Sequence, residues 1–373
     1  MNLNRIDLSK YKKDKNFYPG IRLLVTIKSF DLKAIRERYL KSRNKKSNRT
    51  GSISRRETAI GGLAEITIEN GKVTHQEIFT KVPEPRGIDS HEHITAFSSE
   101  NKVHILHGDQ LKTLTNPWFS YIHTVDIDRS SEDKLLISSS GFDCIFEYEI
   151  YNEQCTYEWF AWENGFDHGI DPETGEKLYL TRNPEIASKY DREDKNYLLI
   201  DDPGNQVLPT AKRAAFINSV VYDPTEKDNF IATFFHEGAV YQIDRESGHS
   251  KKILDGLNNP HGGMKLQSGK VMGTSTKGGE VVINENNTQY RYDFSKIPGK
   301  PEFLSDFEWI QNSIITKQGN IISIDSNRNS FVIFNAEKNL IDFISYDENW
   351  AVQDIIENAA DTVQLKLLKS AGL

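Results

Sequence analysis

Short runs of four to seven residues, rich in β-branched and aromatic side chains and broken by Gly, Asn or Asp, recur along most of the chain. Examples are 63–79 (LAEITIENGKVTHQEIF), 134–150 (KLLISSSGFDCIFEYEI), 229–248, 270–284 and 320–335. Each reads as a strand, a polar turn and a second strand. A 3.6-residue period is weak. It predicts one helix over 31–42 and a last one near 355–368.

The runs repeat as larger units of about 40 to 50 residues: strand, short polar turn, strand, turn, strand. Unit openings are Tyr121–Ile127 before KLLISSS, Phe216–Tyr222 before NFIATFF, Asn259–Lys265 before KVMGTST, and Ile310–Ile315 before NIISIDS. Residues 88–110 form a shorter unit, and 62–80 supply the outer strands of another. The segment from Trp350 to Ile356 opens a unit that the chain never completes. Pairing it with the N-terminal strands closes a ring and removes its edges. The pattern therefore predicts an all-β fold: a single β-propeller domain over 1–373 with six blades, seven being the alternative count.

Two stretches break the period. In the first, 31–58, residues 33–56 hold ten Lys or Arg against one acid, so that +9 of a net −8 leaves −17 for the rest of the chain. A chain otherwise so acidic argues against nucleic acid as the main partner. The basic stretch reads as a solvated loop, with an anion-binding flap as the alternative. The second, 161–214, is polar and turn-rich, and its length suits a lid over one face of the domain. No apolar run is long enough to span a membrane, and the first residues lack the apolar core of a signal peptide, so a cytoplasmic protein is expected. The two cysteines, Cys144 and Cys155, read as small buried thiols rather than a disulfide framework.

Aligning the units on their first strands brings His123, Asn218, His261, Asn312 and Gln353 to one place, just before the apolar part of the strand, with His91 or His93 near it in the second unit. First strands line a propeller's axis, so these side chains are expected to ring one axial mouth. Buried polar groups need partners, and a ring of them points to a ligand, a metal or ordered water. His93, His123 and His261 could hold a divalent metal, zinc or iron ahead of calcium, with a position left for water or substrate. Asn218, Asn312 and Gln353 would then orient a substrate. Without metal, a histidine here could serve as general base or nucleophile. His236, Glu237 and Arg328, together with Asp143, follow second strands and are further candidates, Arg328 as a clamp for an anionic group. There is no phosphate-binding P-loop, nucleophile elbow, HExxH or dinucleotide-binding glycine motif.

The units HTVDI…KLLISSSGFDCIFEYEI and INSVVYDP…FIATFFHEGAVYQID resemble blades of bacterial arylsulfotransferase-type propellers. That resemblance implies a transient sulfo-histidine. NNPHGGMKLQSGKVMGTST is similar to blade openings of streptogramin-lyase and NHL-type propellers, and INSVVYDP and QNSIITKQGNIISIDS resemble the gluconolactonase and strictosidine-synthase group, which implies an axial metal. These likenesses cover roughly residues 60–345. The gluconolactonase group places a carboxylate in its metal ring, and this ring is richer in histidine. The expected function is an enzyme acting on a small polar molecule at the axial mouth, by metal-assisted hydrolase, lyase or isomerase chemistry. The alternatives are sulfuryl transfer through a histidine and a non-catalytic binding propeller.

Overall fold

A computed structural model describes residues 2–43, 49–54, 57–304, 306–358, 360 and 362–371. Lys45, Lys46, Arg55 and Arg56 of the basic stretch lie outside these. Among the described residues there are six sheets of four or five strands and one small three-stranded sheet. The apolar runs form the strands because the sheets stack face to face and successive side chains of one strand serve two different interfaces. Leu135, Ile137, Phe146 and Tyr148 pack against the preceding sheet, while Leu136 and Ile145 pack against the following one.

Chain closure follows the sequence expectation. Val352–Glu357 pairs antiparallel with Ile21–Ile27, which continues through Ile60–Glu69 to Lys72–Pro83. The other five sheets are simple meanders, with innermost strands Ile88–His91, Ile122–Ile127, Ile217–Tyr222, Pro260–Lys265 and Ile310–Ile315. Each inner strand packs beside the next, and Val352–Glu357 packs back beside Ile88–His91, so the six inner strands close a ring. The architecture is that of a β-propeller. Asn2–Asp7 adds a parallel fifth strand to one sheet and Lys12–Lys13 to the next, covering two outer edges.

The helix expected at 31–42 is present as Leu32–Arg43. Leu32 and Ile35 are buried against Ala351 and Trp309, and Arg36 donates to Ser326 O, Asn327 O and Asn329 Oδ1. Where it is described, the basic stretch is therefore packed rather than a solvated loop. The last helix is Thr362–Ser370, later than expected, because 352–357 is spent on the closing strand. Cys144 is buried as expected, but Cys155 is exposed, on an outer strand.

Most of 161–214 is not a cover. It forms the three-stranded sheet His168–Ile170, Lys177–Thr181 and Tyr197–Leu199, with the helix Pro184–Arg192. Leu178, Leu180, Ile200 and Leu208 pack on Phe160 and Trp162 at the flank of one sheet. Asn183 caps this helix by accepting from the amides of Glu185 and Ile186, with Pro184 in its first turn. Only 208–214 reaches the axis. There Ala211 N donates to Ser52 O, and Arg49 donates to the carbonyls of Arg213 and Ala214. The two insertions thus meet at one end of the ring.

Candidate functional site

Five inner strands open in the same register. Ile122, Ile217, Pro260, Ile310 and Val352 pair with Ser139, Phe234, Ser275, Asp325 and Ile27, and the pairing slips just afterwards in four strands and one residue later, after His261↔Thr274, in the strand of Pro260. Such bulges re-aim side chains. The residues after these paired positions are His123, Asn218, His261, Gln311 and Gln353, which therefore share one level of the axis. Gln311 occupies the level expected for Asn312. Asn312 lies one step deeper, its Nδ2 donating to Asp354 Oδ1 at 2.6 Å. Gly262 makes room for it: φ is +57°, and a Cβ there would lie 1.8 Å from Asn312 Oδ1.

The sixth contribution is Arg86, from the segment leading into Ile88–His91, with Nη1 3.3 Å from His123 Nε2. The histidines expected there lie elsewhere. His91 ends the inner strand, 3.4 Å from Glu132, and His93 sits in the following turn, its ring 4.8 Å from that of His107. Neither lines the mouth. The His93, His123 and His261 set is not brought together, and among the described residues no group of three or more His, Cys, Asp or Glu is placed to hold a metal ion. A guanidinium beside His123 also opposes a cation. The residues present do not fit the divalent site expected from sequence.

Two cavities are stacked on the axis. The outer one, of about 210 Å³, is bordered by Thr50, Gly51 and Ser52 from the first insertion and by Thr210 and Arg213 from the second. Its apolar walls are Tyr121, Phe216, Phe235 and Trp309. Lys28, Arg38, Arg86, Arg213 and Lys277 also line it, and no Asp or Glu does so among the described residues. This is one sign of charge gathered in a protein of net charge −8. Below lies a chamber of about 10 Å³, bounded in part by Asn218, His261, Asn312 and Asp354.

Two of these cations are held in place. Tyr121 stands between two guanidinium groups, Arg86 at 5.0 Å and Arg213 at 4.8 Å from its ring, and Arg213 also lies 4.9 Å from the ring of Phe216. Arg86 pairs with Glu84 at 2.7 Å. Arg213 is 1% exposed. The neighbouring Asp143, which carries a positive φ, accepts from the amides of Ala215 and Ile217 at 3.1 Å each and so fastens the mouth to the preceding sheet.

Both axial histidines are neutral. His123 Nδ1 lies 2.9 Å from Tyr121 O, and since a carbonyl can only accept, that nitrogen carries the proton and Nε2 faces Arg86 as acceptor. Burial first, then Arg86 and His261, hold its pKa well below the usual histidine range. His261 Nδ1 meets Thr276 Oγ1 at 2.8 Å, which leaves Nε2 to the cavities; burial, then Lys28, lowers its pKa to about 3.

The remaining candidates are structural. Arg328 is closed off by Asp325 at 2.8 Å, Glu308 at 3.0 Å and the carbonyls of Phe294 and Ile297. His236 lies behind the mouth, Nε2 donating to Thr210 O at 2.9 Å, and Glu237 is exposed beside it; neither lines a cavity. Reasoning from sequence missed Arg86, Gln311, Lys28, Arg213 and Lys277. Gln311 was open to discovery, since it follows Ile310 as His123 follows Ile122.

No family model and no curated protein matches the sequence. Solved structures do match in fold. A chain of the nidogen/laminin complex aligns with a TM-score of 0.53 at 10% identity, over 92% of this chain and 100% of its own. A protein of unknown function from Bacteroides caccae aligns at 0.51 and 11% identity, over 91% and 98%. A streptogramin B lyase structure aligns at 0.43 and 14%, over 71% and 84%. With the ring of sheets, the first two show that the chain has a β-propeller fold.

Proposed function

We propose that this chain is a six-bladed propeller enzyme that takes a small anionic molecule into its axial mouth and acts on it with His261 as base or nucleophile. In this reading 49–54 and 208–214 form the cover, and Gln311 and Gln353 orient the ligand. One observation carries it: five cations, four aromatic rings and no described carboxylate surround a cavity of about 210 Å³ whose floor holds a neutral imidazole. At roughly 30 Å³ per water, the space suits about seven waters, or one ring or short chain with a charged group. Fixed, partly desolvated cations bind an anion without reorganising and stabilise negative charge as it develops. A histidine kept neutral is ready to take a proton or to attack, as hydrolase, lyase and isomerase reactions require.

A second reading is favoured by the same imidazole. His261 Nε2, with cations and aromatic walls above it, suits attack on the sulfur of an aryl sulfate, forming an N–S bond as the aryl O–S bond breaks and the phenolate leaves, so that the sulfuryl group rests transiently on the ring. It predicts label retained on the protein from a radioactive sulfuryl donor.

The test begins with thermal stabilisation by a panel of small aromatic and aliphatic anions and their neutral isosteres. Turnover of the stabilising compounds is then assayed with wild type and His261→Ala. The proposal expects anions alone to stabilise and His261→Ala to bind but not turn over. Equal stabilisation by neutral isosteres, or full turnover without His261, would overturn it.

A further inference from the structure

The chamber beneath the mouth has a fixed polarity. Asn218 Nδ2 donates to Pro260 O at 2.7 Å. Turning the amide over would set two acceptors face to face, so Oδ1 is left towards the chamber. The residue is 2% exposed, and Oδ1 has no hydrogen-bond partner among the described residues. A buried acceptor left unmet is costly. About 10 Å³ is close to the room one water needs, and a buried water is kept only where polar groups surround it.

Asp354 borders the same chamber. Its Oδ1 accepts from Asn312 Nδ2 at 2.6 Å and Ile355 N at 2.9 Å, whereas Oδ2 has, among the described residues, only Ile88 N at 3.4 Å. Oδ2 is thus the oxygen open to protonation. The charged and titratable groups around it are Arg86 and Asp89 from the second sheet, His123 from the third, and His261 from the fifth. Asn312 and Thr26 face it as neutral partners, Thr26 Oγ1 accepting from Asp354 N at 3.1 Å. Burial, with Asp89 adding to it, pushes this carboxyl up to about 7.

We propose that the chamber seats one ordered water between Asn218 Oδ1, His261 and Asp354, and that Asp354 receives through it the proton His261 takes from a ligand. This rests on His261 as the base. Nε2 accepts the ligand's proton and passes it to the water, while the water gives one of its own protons to Asp354 Oδ2. The ligand ends one proton poorer, Asp354 is neutral, and imidazole and water are restored. A buried imidazolium is strongly disfavoured, so a nearby acceptor is needed to drain it.

Two measurements need no substrate. A near-atomic crystal structure should show a water within hydrogen-bond distance of Asn218 Oδ1; a dry chamber would overturn the proposal. Infrared titration should show a protonated-carboxyl band with a midpoint near neutrality that shifts in His261→Ala; a midpoint indifferent to His261 would also overturn it. With a substrate in hand, Asp354→Asn keeps the Asn312 contact but cannot store a proton. Its kcat should fall about a hundredfold, with KM little changed and the inflection near pH 7 lost. Unchanged kcat and pH profile in Asp354→Asn would sink the relay yet leave His261 as base, a reading that fails only if His261→Ala retains turnover.

Discussion

The inner strands start among cations and end among carboxylates, and the two ends treat charge differently. At their ends, Asp89 pairs with Arg129 at 2.6 Å and Asp223 with Lys265 at 2.9 Å, while Asp126 accepts from Tyr222 N across neighbouring strands. Those charges close on one another and tie adjacent sheets. At their starts, Lys28, Arg38, Arg86, Arg213 and Lys277 share a cavity that no described carboxylate lines. Charges that close within the protein serve the fold. At the mouth Arg86 also closes on Glu84 at 2.7 Å, but cations gathered around a cavity that no described carboxylate lines suit an anion from outside.

The largest effect should come from cutting the support of the mouth. Asp143→Ala removes a buried carboxylate that accepts two backbone amides beside Arg213, and should cost about 3 kcal/mol by urea denaturation. A loss below about 1 kcal/mol would mean that Asp143 does not fasten the mouth. Gly262→Ala should follow at about 2 kcal/mol, because a Cβ at φ +57° drives Asn312 from its place.

A paired experiment sharpens the contrast. Arg129→Met, at the strand ends, should lower stability by about 1 kcal/mol, discounted for its exposure, and leave anion affinity unchanged. Lys277→Met, at the mouth, should leave stability within about 0.5 kcal/mol and weaken anion binding about tenfold. The opposite assignment of effects would break the comparison.

Acid should act through the buried histidines. His236 is held at about 3 by burial and Arg49. Its folded pKa lies below the unfolded value near 6.5, so between them the unfolded chain binds the extra proton and stability falls as pH drops. His236→Gln should therefore gain on wild type by up to about 1.4 kcal/mol per pH unit from about 6.5 towards about 4. Denaturation midpoints at several pH values would show it, and parallel curves would refute it. His93→Ala, in its outer turn, should change stability by less than about 0.5 kcal/mol and leave binding untouched.

The fold was largely legible because each strand reports its own burial. Alternation in runs such as 134–150 and the repeated openings Tyr121–Ile127 and Phe216–Tyr222 are local signals, and the unfinished unit at Trp350 revealed the closure. The site was half legible. His123, Asn218, His261 and Gln353 sit in a repeated register, so pattern found them. Asn312 was misplaced by one residue because a bulge position cannot be read from alternation. Arg86 precedes a strand that shows no slip, and Arg213 lies at the end of a long insertion, so nothing local marked either as axial. The helix Pro184–Arg192 was missed although Asn183-Pro184 is a recognisable start, since its polar surroundings hid the apolar face.

Calorimetric titration of benzoate, phenyl phosphate and phenyl sulfate against neutral benzamide, on wild type and Lys277→Met, tests the cationic mouth most directly. The account predicts that at least one anion binds wild type, weakens about tenfold in the variant and weakens further with salt, while benzamide does not bind. Benzamide binding as well as the anions, or anion binding indifferent to Lys277 and to salt, would contradict it.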